Sequence, residues 1–490
     1  MADNRRWWAL VVIALAQLMV VLDMTIVNIA LPSAQVALHM SDGNRQWVIT
    51  AYTLAFGGLL LLGGRIGDLA GRRVAFMTGL VGFAAASALG GAAVNQGMLF
   101  GARALQGVFA ALLAPAALSL LATTFTDPKD RGKAFGIFGA IIGAGAAVGL
   151  LAGGFLTQYL DWRWCLYVNV PIALVAFAGA WVLLPDGGRH PDARLDVPGA
   201  LLGSAGMLSL VYGFSEAESR SWGDGLVLAL LTGGVALLGL FGYWQTRARV
   251  PLLPMTVVRD RQRIGSFLTV LLVTVGMFGV FLFLTYYMQR VLGYSPVKTG
   301  VAYLPITVGM VTGSTQVAAR LLHRVPPRML IVPGLLLAAG ALALIAQVGV
   351  EPAYASHILP GMLMLGLGMG TAMMTSVSLA TGNVAPRDSG AASATFNTAQ
   401  QVGGSIGTAL LNTIAASVTT RYATAHAAAV PDRALLAAKA AVHGFNVATW
   451  WAMAALLLGA LVAGVVVNAD RAPTPQAARE RTPEPVESAT

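Results

Sequence analysis

The chain has 490 residues, of which 57% are hydrophobic and 11% are charged, and its mean hydropathy is +0.72. Soluble domains carry about 25% charged residues, so this composition excludes a soluble globular protein and indicates that a lipid bilayer is the solvent. The net charge of +10 does not point to nucleic acid, because Lys and Arg lie in short loops between apolar runs rather than in one basic region.

Fourteen apolar runs, each about 20 residues long, follow one another along the chain. None alternates between apolar and polar residues as a strand would, so each predicts a transmembrane helix. The runs are 8–31, 47–64, 74–94, 98–122, 134–158, 164–184, 197–215, 225–245, 266–290, 299–321, 329–348, 355–380, 395–417 and 445–468. The sequence therefore predicts an all-α membrane protein with fourteen transmembrane helices.

Two polar segments, 185–196 and 247–263, bracket the seventh and eighth runs. They divide the chain into an N-terminal six-helix bundle, a linker with a helical hairpin, a C-terminal six-helix bundle and a disordered cytoplasmic tail. The predicted boundaries are 1–187, 188–257, 258–470 and 471–490. The segment RIGDLAGRR after the second run aligns without gaps with RLLHRVPPR after the tenth. Halves that are built alike suggest a transporter.

Positive charge is unevenly divided between the two sides of the membrane. Of the 31 Lys and Arg residues, 22 lie on the side of the membrane that holds the N-terminus and 8 lie on the opposite side. The remaining one, Arg103, lies deep within a run. Because cytoplasmic loops carry the excess of positive charge, both termini are predicted to be cytoplasmic, and the protein is predicted to lie in the cytoplasmic (inner) membrane.

Two charged residues lie deep within predicted spans, Asp23 in the first and Arg103 in the fourth. An embedded carboxylate is costly unless it faces water or a partner. Asp23 could couple transport to protons or substrate, or it could be a structural carboxylate bonded to a hydroxyl or an Arg. Arg103 could anchor an anionic group, modulate the protonation of Asp23, or hold helices together through backbone carbonyls.

The short loop from Gly64 to Arg73 contains one acid, Asp68, among its Arg residues. Orientation in the membrane explains the Arg residues but not Asp68, which could bind the positive N-terminal end of a facing helix and latch one conformation. Asp127, in the next cytoplasmic loop, could pair with Arg72 or Arg73.

Glycines recur at steps of four in the fifth run, at Gly145, Gly149 and Gly153, with Gly154 beside them. Small residues along one helix face let a partner helix approach closely. Helix packing is sufficient to explain them, and a sliding surface between the two halves is the functional alternative.

Five neutral polar residues in or near the runs are candidates for a substrate cavity: Asn28, Tyr286, Gln289, Asn397 and Gln401. The chain lacks a GxxxxGK[ST] nucleotide-binding motif, its six His residues form no metal-spaced cluster, and it has no catalytic constellation. The sequence therefore predicts no enzyme activity, no metal site and no cofactor.

Several of these segments together resemble the major facilitator superfamily, in particular its fourteen-span drug:proton antiporter branch. Leu22 to Pro32 is similar to the first-span signature of that branch, and Gly64 to Arg73 to the loop motif of the superfamily. The other matching positions are Arg103, Gln106 and Gly107 in the fourth span, Gly136, Gly145, Gly149, Gly153 and Gly154 in the fifth, Trp162 to Trp164 with Asn169 to Pro171, Tyr294 to Pro305, and Asn397 to Gly407.

The resemblance implies two six-helix bundles with a central two-helix insertion, working by alternating access. It also implies export of lipophilic or cationic drugs in exchange for protons, driven by the proton-motive force. We expect the protein to act as a monomer. Asp23 and Arg103 would then serve proton coupling. Asp68 and Arg72 match the cytoplasmic gate residues of the family, and the predicted gate also includes Gly64, Gly71, Arg73 and Asp127.

The chain departs from the family pattern at Leu150 and Gln400, where a Pro and an Arg are usual, and its second loop repeat has His323 where the first has Asp68. The predicted spans of the second half also contain no acid, which argues against a dicationic substrate. Two other functions stay open: a dedicated exporter of an endogenous metabolite, lipid or siderophore, and a non-transporting membrane sensor.

Overall fold

The computed structural model describes residues 2–41, 44, 47–125, 127–184, 196–220, 222–249, 251–253, 255–322, 324–351, 354–382, 384, 389–429 and 431–467. These residues form helices joined by turns and contain no strand. Helices satisfy every backbone donor and acceptor within one segment, which lipid requires. Residues 188–195 of the predicted linker and the whole predicted tail, 471–490, lie outside the described residues.

The first half of the chain contains six helices. They are α1 (Ala2–Ala37), α2 (Trp47–Ala70), α3 (Arg72–Gly91), α4 (Gln96–Thr124), α5 (Pro128–Tyr159) and α6 (Trp164–Tyr167 continued by Asn169–Leu183). A hairpin follows, made of α7 (Val197–Ser219) and α8 (Gly225–Gln245).

The second half contains α9 to α14, and three of these helices include π-helical turns. They are α9 (Arg261–Tyr286, then a π turn Tyr287–Val291), α10 (Pro296–Ala302, Leu304–Thr312, a π turn Gly313–Ala318 and Ala319–Leu321), α11 (Arg328–Ile345), α12 (a π turn Tyr354–Ile358, then Leu359–Thr381), α13 (Ser389–His426) and α14 (Arg433–Val466). Pro305 lies in the first turn after the break in α10, where its missing N–H is tolerated.

By length and composition, ten of the described helices can cross a membrane. These are α1, α3, α4, α6, α7, α8 and α11 to α14. Helices also lie at the positions of the other four predicted spans. The multi-pass, all-α architecture is therefore confirmed, while the count of fourteen spans and the domain boundaries stay predictions.

The two halves have separate apolar cores. The core of the first half includes Ile13 of α1 and Phe76 of α3, and that of the second half includes Leu342 of α11. Two residues of the first half, Ile29 and Leu150, belong to the core of the second half. The halves therefore meet at α1 and α5, and they also meet where α2 packs against α13.

Asp196 fixes the α7–α8 hairpin at its open end. Its carboxylate accepts hydrogen bonds from the N–H of Gly199 at 3.0 Å, from Trp244 Nε1 at 2.8 Å and from Gln245 Nε2 at 2.8 Å. Gln245 Oε1 in turn accepts from the N–H of Leu253 at 3.0 Å. This cluster joins the start of α7, the end of α8 and the segment that leads to α9.

Candidate functional site

The two embedded charges form one ion pair, although 80 residues separate them in sequence. Arg103 Nη1 of α4 donates to Asp23 Oδ2 of α1 at 2.5 Å. The exposed fraction of the side chain is 0% for Asp23 and 2% for Arg103. A buried pair of this kind requires good geometry and further hydrogen bonds, because both charges have lost their hydration.

Neutral donors complete the shell around the carboxylate. Gln106 Nε2 donates to Asp23 Oδ1 at 3.0 Å, and Asn169 Nδ2 of α6 donates to the same oxygen at 2.9 Å. Ser87 of α3 accepts a 2.6 Å hydrogen bond from Gln106. Asp23 therefore accepts hydrogen bonds from three side chains.

Arg103 is held on its other side by α2. Its Nε donates to the carbonyl of Val48 at 3.0 Å, and the guanidinium carbon lies 4.5 Å from the ring centroid of Tyr52. A cation over an aromatic face is attracted by the negative quadrupole of the ring. Tyr52 is 1% exposed, and its hydroxyl has no hydrogen-bond partner among the described residues.

Close packing of α2 on α4 makes this arrangement possible. Gly107 lies one turn after Arg103, directly against the backbone of Tyr52, and a Cβ at this position would clash with the Tyr52 carbonyl oxygen. A glycine is therefore needed where the two helices cross. A small, mostly apolar cavity beside Arg103, lined in part by Trp162 and Cys165, has room for about one water molecule.

The cluster brings together residues that lie far apart in sequence. Asp23 and Arg103 were predicted as candidates, and Gln106 and Asn169 were noted only within matching motifs. Ser87 was missed. The signal that could have found it is a hydroxyl within the Ala-rich stretch 84–88, since a polar side chain in lipid needs a partner.

The predicted gate residues lie around the α2–α3 turn. Gly64 faces Pro115 of α4, and a Cβ added at Gly64 would lie 3.6 Å from the Pro115 Cβ. Gly71 has φ 96°, a conformation that other residues rarely adopt, and it caps the start of α3. Arg72 is partly buried. The side chain of Asp68 lies outside those that the structure describes.

The described contacts of Arg73 and of the acids in the α4–α5 turn involve α6 and α1. Arg73 donates to the Trp181 carbonyl at 2.5 Å. Asp127 accepts from the N–H of Asp130 at 3.1 Å, and Asp130 pairs with Arg6 at 2.8 Å. These contacts join the starts of α1, α3 and α5 and the end of α6.

The glycine stripe of α5 packs against α1. Gly145, Gly149 and Gly153 face Leu18, Thr25 and Ile26, respectively, and Gly154 is also buried. These three contacts lie within the first half and serve helix packing. The contact between halves is made elsewhere on α5, where a Cβ on Gly300 of α10 would lie 2.9 Å from the Leu150 carbonyl oxygen.

The five predicted cavity residues do not contact the charged cluster through any hydrogen bond seen among the described residues. Asn28 is exposed and donates to the Met24 carbonyl at 2.9 Å, Tyr286 is 49% exposed, and Asn397 is partly buried. The amide nitrogens of Gln289 and Gln401 are buried and have no hydrogen-bond partner in the part of the chain described. Gln401 lies against Gly57 of α2, at a contact between the halves.

The sequence of this chain is similar to those of a known protein family and several named relatives. The family model of the Major Facilitator Superfamily matches residues 13–408. The puromycin resistance protein pur8 of Streptomyces alboniger is 56% identical over 473 residues, which cover 95% of this chain and 92% of that protein. The cephamycin export protein CmcT of Amycolatopsis lactamdurans is 38% identical, with 84% and 85% covered. The probable actinorhodin transporter of Streptomyces coelicolor is 34% identical, with 84% and 71% covered.

Two solved structures share the fold at 15% sequence identity. One is a bacterial homologue of the human lysosomal transporter Spinster, with a TM-score of 0.63 and coverage of 96% of this chain and 99% of that one. The other is the human organic anion transporter MFSD10, with a TM-score of 0.60 and coverage of 92% and 99%. At this level of identity the likeness shows the fold alone.

Proposed function

The chain belongs to the Major Facilitator Superfamily, and we propose that it exports antibiotic-like small molecules, lipophilic or cationic, in exchange for protons. It is a multi-pass membrane transporter of small molecules rather than an enzyme. The proposal includes a monomer in the cytoplasmic membrane with both termini in the cytoplasm. Support for export comes from relatives named for resistance to, or export of, puromycin, cephamycin and actinorhodin.

The observation that carries proton coupling is the buried Asp23–Arg103 pair. Protonation of Asp23 would cancel its charge and leave Arg103 without a counter-ion, so the protonated and ionised forms favour different arrangements of α1 and α4. A ligand shifts an equilibrium between two conformations only if it binds one of them more tightly. A proton on Asp23 does so, because it binds more tightly to the arrangement of α1 and α4 that the neutral carboxyl favours.

The packing of the first half shows how a movement of α1 at Asp23 could be passed on to the second half. A shift of α1 would act on α5 through the contact of Gly149 with Thr25. From α5 it would reach α10 through the contact of Leu150 with Gly300. In the proposed cycle, substrate binds from the cytoplasm as Asp23 loses its proton, the halves rock, and reprotonation of Asp23 from outside releases the substrate.

The test follows puromycin uptake into inverted membrane vesicles under an imposed proton gradient. We expect uptake in the wild type that collapses with uncoupler and is lost in Asp23→Asn at matched expression. The single variant leaves Arg103 as an unpaired buried charge, which costs about 3–5 kcal/mol. Loss of uptake could therefore reflect misfolding alone.

The double variant Asp23→Asn/Arg103→Gln separates the two explanations. Removing both charges leaves no unpaired charge buried in the bundle, so this variant should fold. If Asp23 carries the coupling proton, the double variant exchanges puromycin downhill but does not accumulate it. Restored proton-driven accumulation in the double variant would show that the pair is structural.

A second candidate function is the dedicated export of one endogenous compound. It is favoured by the names of two relatives, each of which specifies a single exported product, cephamycin or actinorhodin. A panel of unrelated antibiotics in the accumulation assay distinguishes the two, because a dedicated exporter would move one chemical class only. A membrane sensor would produce no uphill flux of any compound.

A further inference from the structure

The interior of the membrane-spanning region carries no net charge. Away from the ends of the fourteen predicted spans, Asp23 and Arg103 are the two side chains that are charged at neutral pH. Because they pair with each other at 2.5 Å, their charges cancel. A cationic substrate at the membrane centre would therefore find no unpaired carboxylate there.

Asp23 is poorly placed to act as a counter-ion for a substrate. Its oxygens already accept from Arg103, Gln106 and Asn169, and its side chain is fully buried inside the first half. The titratable neighbours from the helices packed around it are Tyr52 of α2, Arg103 of α4 and Cys165 of α6, while α3 contributes Ser87. A substrate cation could reach Asp23 only by displacing Arg103.

The predicted cavity residues are neutral. Gln401, at the contact between α13 and α2, has an amide donor without a partner among the described residues, and Asn28 and Tyr286 are exposed. Such groups can hydrogen-bond to a substrate or stack on it, but they cannot neutralise a cation. An unpaired charge inside the membrane is expensive.

Loss of a proton from an amine substrate costs far less free energy than moving its unpaired charge through the membrane. An α-amino group has a pKa of about 7.7–8.0, so roughly one molecule in ten is the free base at pH 7. We propose that this transporter carries its substrate in uncharged form, with an amine substrate crossing as the free base. This inference rests on the proposed proton antiport and narrows its substrate class from lipophilic or cationic molecules to those that can cross uncharged.

The charge of the substrate decides what drives export. When an uncharged molecule leaves and a proton enters, one net positive charge moves inward, so the membrane potential drives export together with the pH gradient. Each 100 mV would then steepen the substrate gradient by about 50-fold per proton. A monovalent cation exchanged for one proton would move no net charge and would not respond to the potential.

The test uses the full chain in inverted vesicles and two derivatives of puromycin that are matched in size. N-acetylpuromycin has no basic amine, and N,N,N-trimethylpuromycin is a permanent cation, and each adds three non-hydrogen atoms to the amine. We expect proton-driven uptake of the acetyl derivative and at least tenfold slower uptake of the trimethyl derivative. With the pH gradient clamped at zero, an imposed potential should still drive puromycin uptake.

Three outcomes would overturn the inference while the antiport proposal stands. They are uptake of the trimethyl derivative at the rate of puromycin, no uptake of the acetyl derivative, and puromycin uptake that does not respond to the imposed potential. If puromycin and both derivatives all fail to accumulate under a proton gradient, the proposed function fails and the inference fails with it. The two failures are therefore distinguishable in one set of vesicles.

Discussion

Substitution of Gly107 by Ala tests whether the close crossing of α2 and α4 holds the charged cluster together. The added methyl group would clash with the Tyr52 carbonyl oxygen and lie 2.9 Å from Ala55 Cβ and 3.0 Å from the Phe56 nitrogen. Carbon atoms pack best at about 3.5–4.0 Å, so the two helices must separate by roughly 1 Å.

The cost of Gly107→Ala has two sources. Overpacking of a close contact costs about 1–3 kcal/mol. Separation of the helices also lengthens the 3.0 Å hydrogen bond from Arg103 to the Val48 carbonyl, and a bond to a charged group contributes about 1.5–3 kcal/mol. Because the bond is weakened rather than lost, we expect a total of about 2–4 kcal/mol.

Gly101→Ala is the matched control on the same helix. Nothing lies within 4 Å of a Cβ at Gly101, so this variant should be neutral or up to about 1 kcal/mol more stable. The assay is heat stability of the detergent-purified proteins, followed by tryptophan fluorescence, together with proton-driven puromycin uptake. If Gly107→Ala unfolds at the same temperature as Gly101→Ala and transports equally well, the reasoning about this crossing is wrong.

Three further substitutions address separate contacts. Tyr52→Leu removes the ring beside the Arg103 guanidinium and should lower stability by about 0.5–2 kcal/mol, measured by heat unfolding. Asp196→Ala removes the acceptor of three hydrogen bonds and should lower stability by about 1–3 kcal/mol, with faster tryptic cleavage after α8 in limited proteolysis. Gly300→Ala pushes α10 away from Leu150 and should slow puromycin uptake several-fold and lower stability by about 1–3 kcal/mol.

Each of these substitutions has a conservative control. Tyr52→Phe keeps the aromatic face and should behave like the wild type, and if it is as unstable as Tyr52→Leu, the hydroxyl matters and the cation–π explanation is wrong. Asp224→Ala removes an N-cap with one hydrogen bond, to the N–H of Leu226, and should not affect cleavage after α8. Gly340→Ala fills open space, so equal uptake by it and by Gly300→Ala would contradict a role for the contact between halves.

The amino-acid sequence by itself determined that this protein is helical and spans the membrane several times. The backbone of a long apolar run lies in lipid, where it cannot hydrogen-bond to water. A helix pairs these N–H and C=O groups within the run itself, so its formation does not depend on the rest of the chain. The glycine stripe of α5 is also evident from the sequence, because residues spaced by four lie on one helix face. The spacing does not reveal that this face meets α1 rather than the second half.

Tertiary structure alone decided how the polar residues combine. Asp23, Ser87, Arg103 and Asn169 come from four helices and are separated by up to 146 residues, and no periodicity relates them. Their meeting depends on crossing points such as the one at Gly107, which are set by the shapes of packed helix surfaces. Sequence could show that each embedded polar group needs a partner, but only packing could select which partner it has.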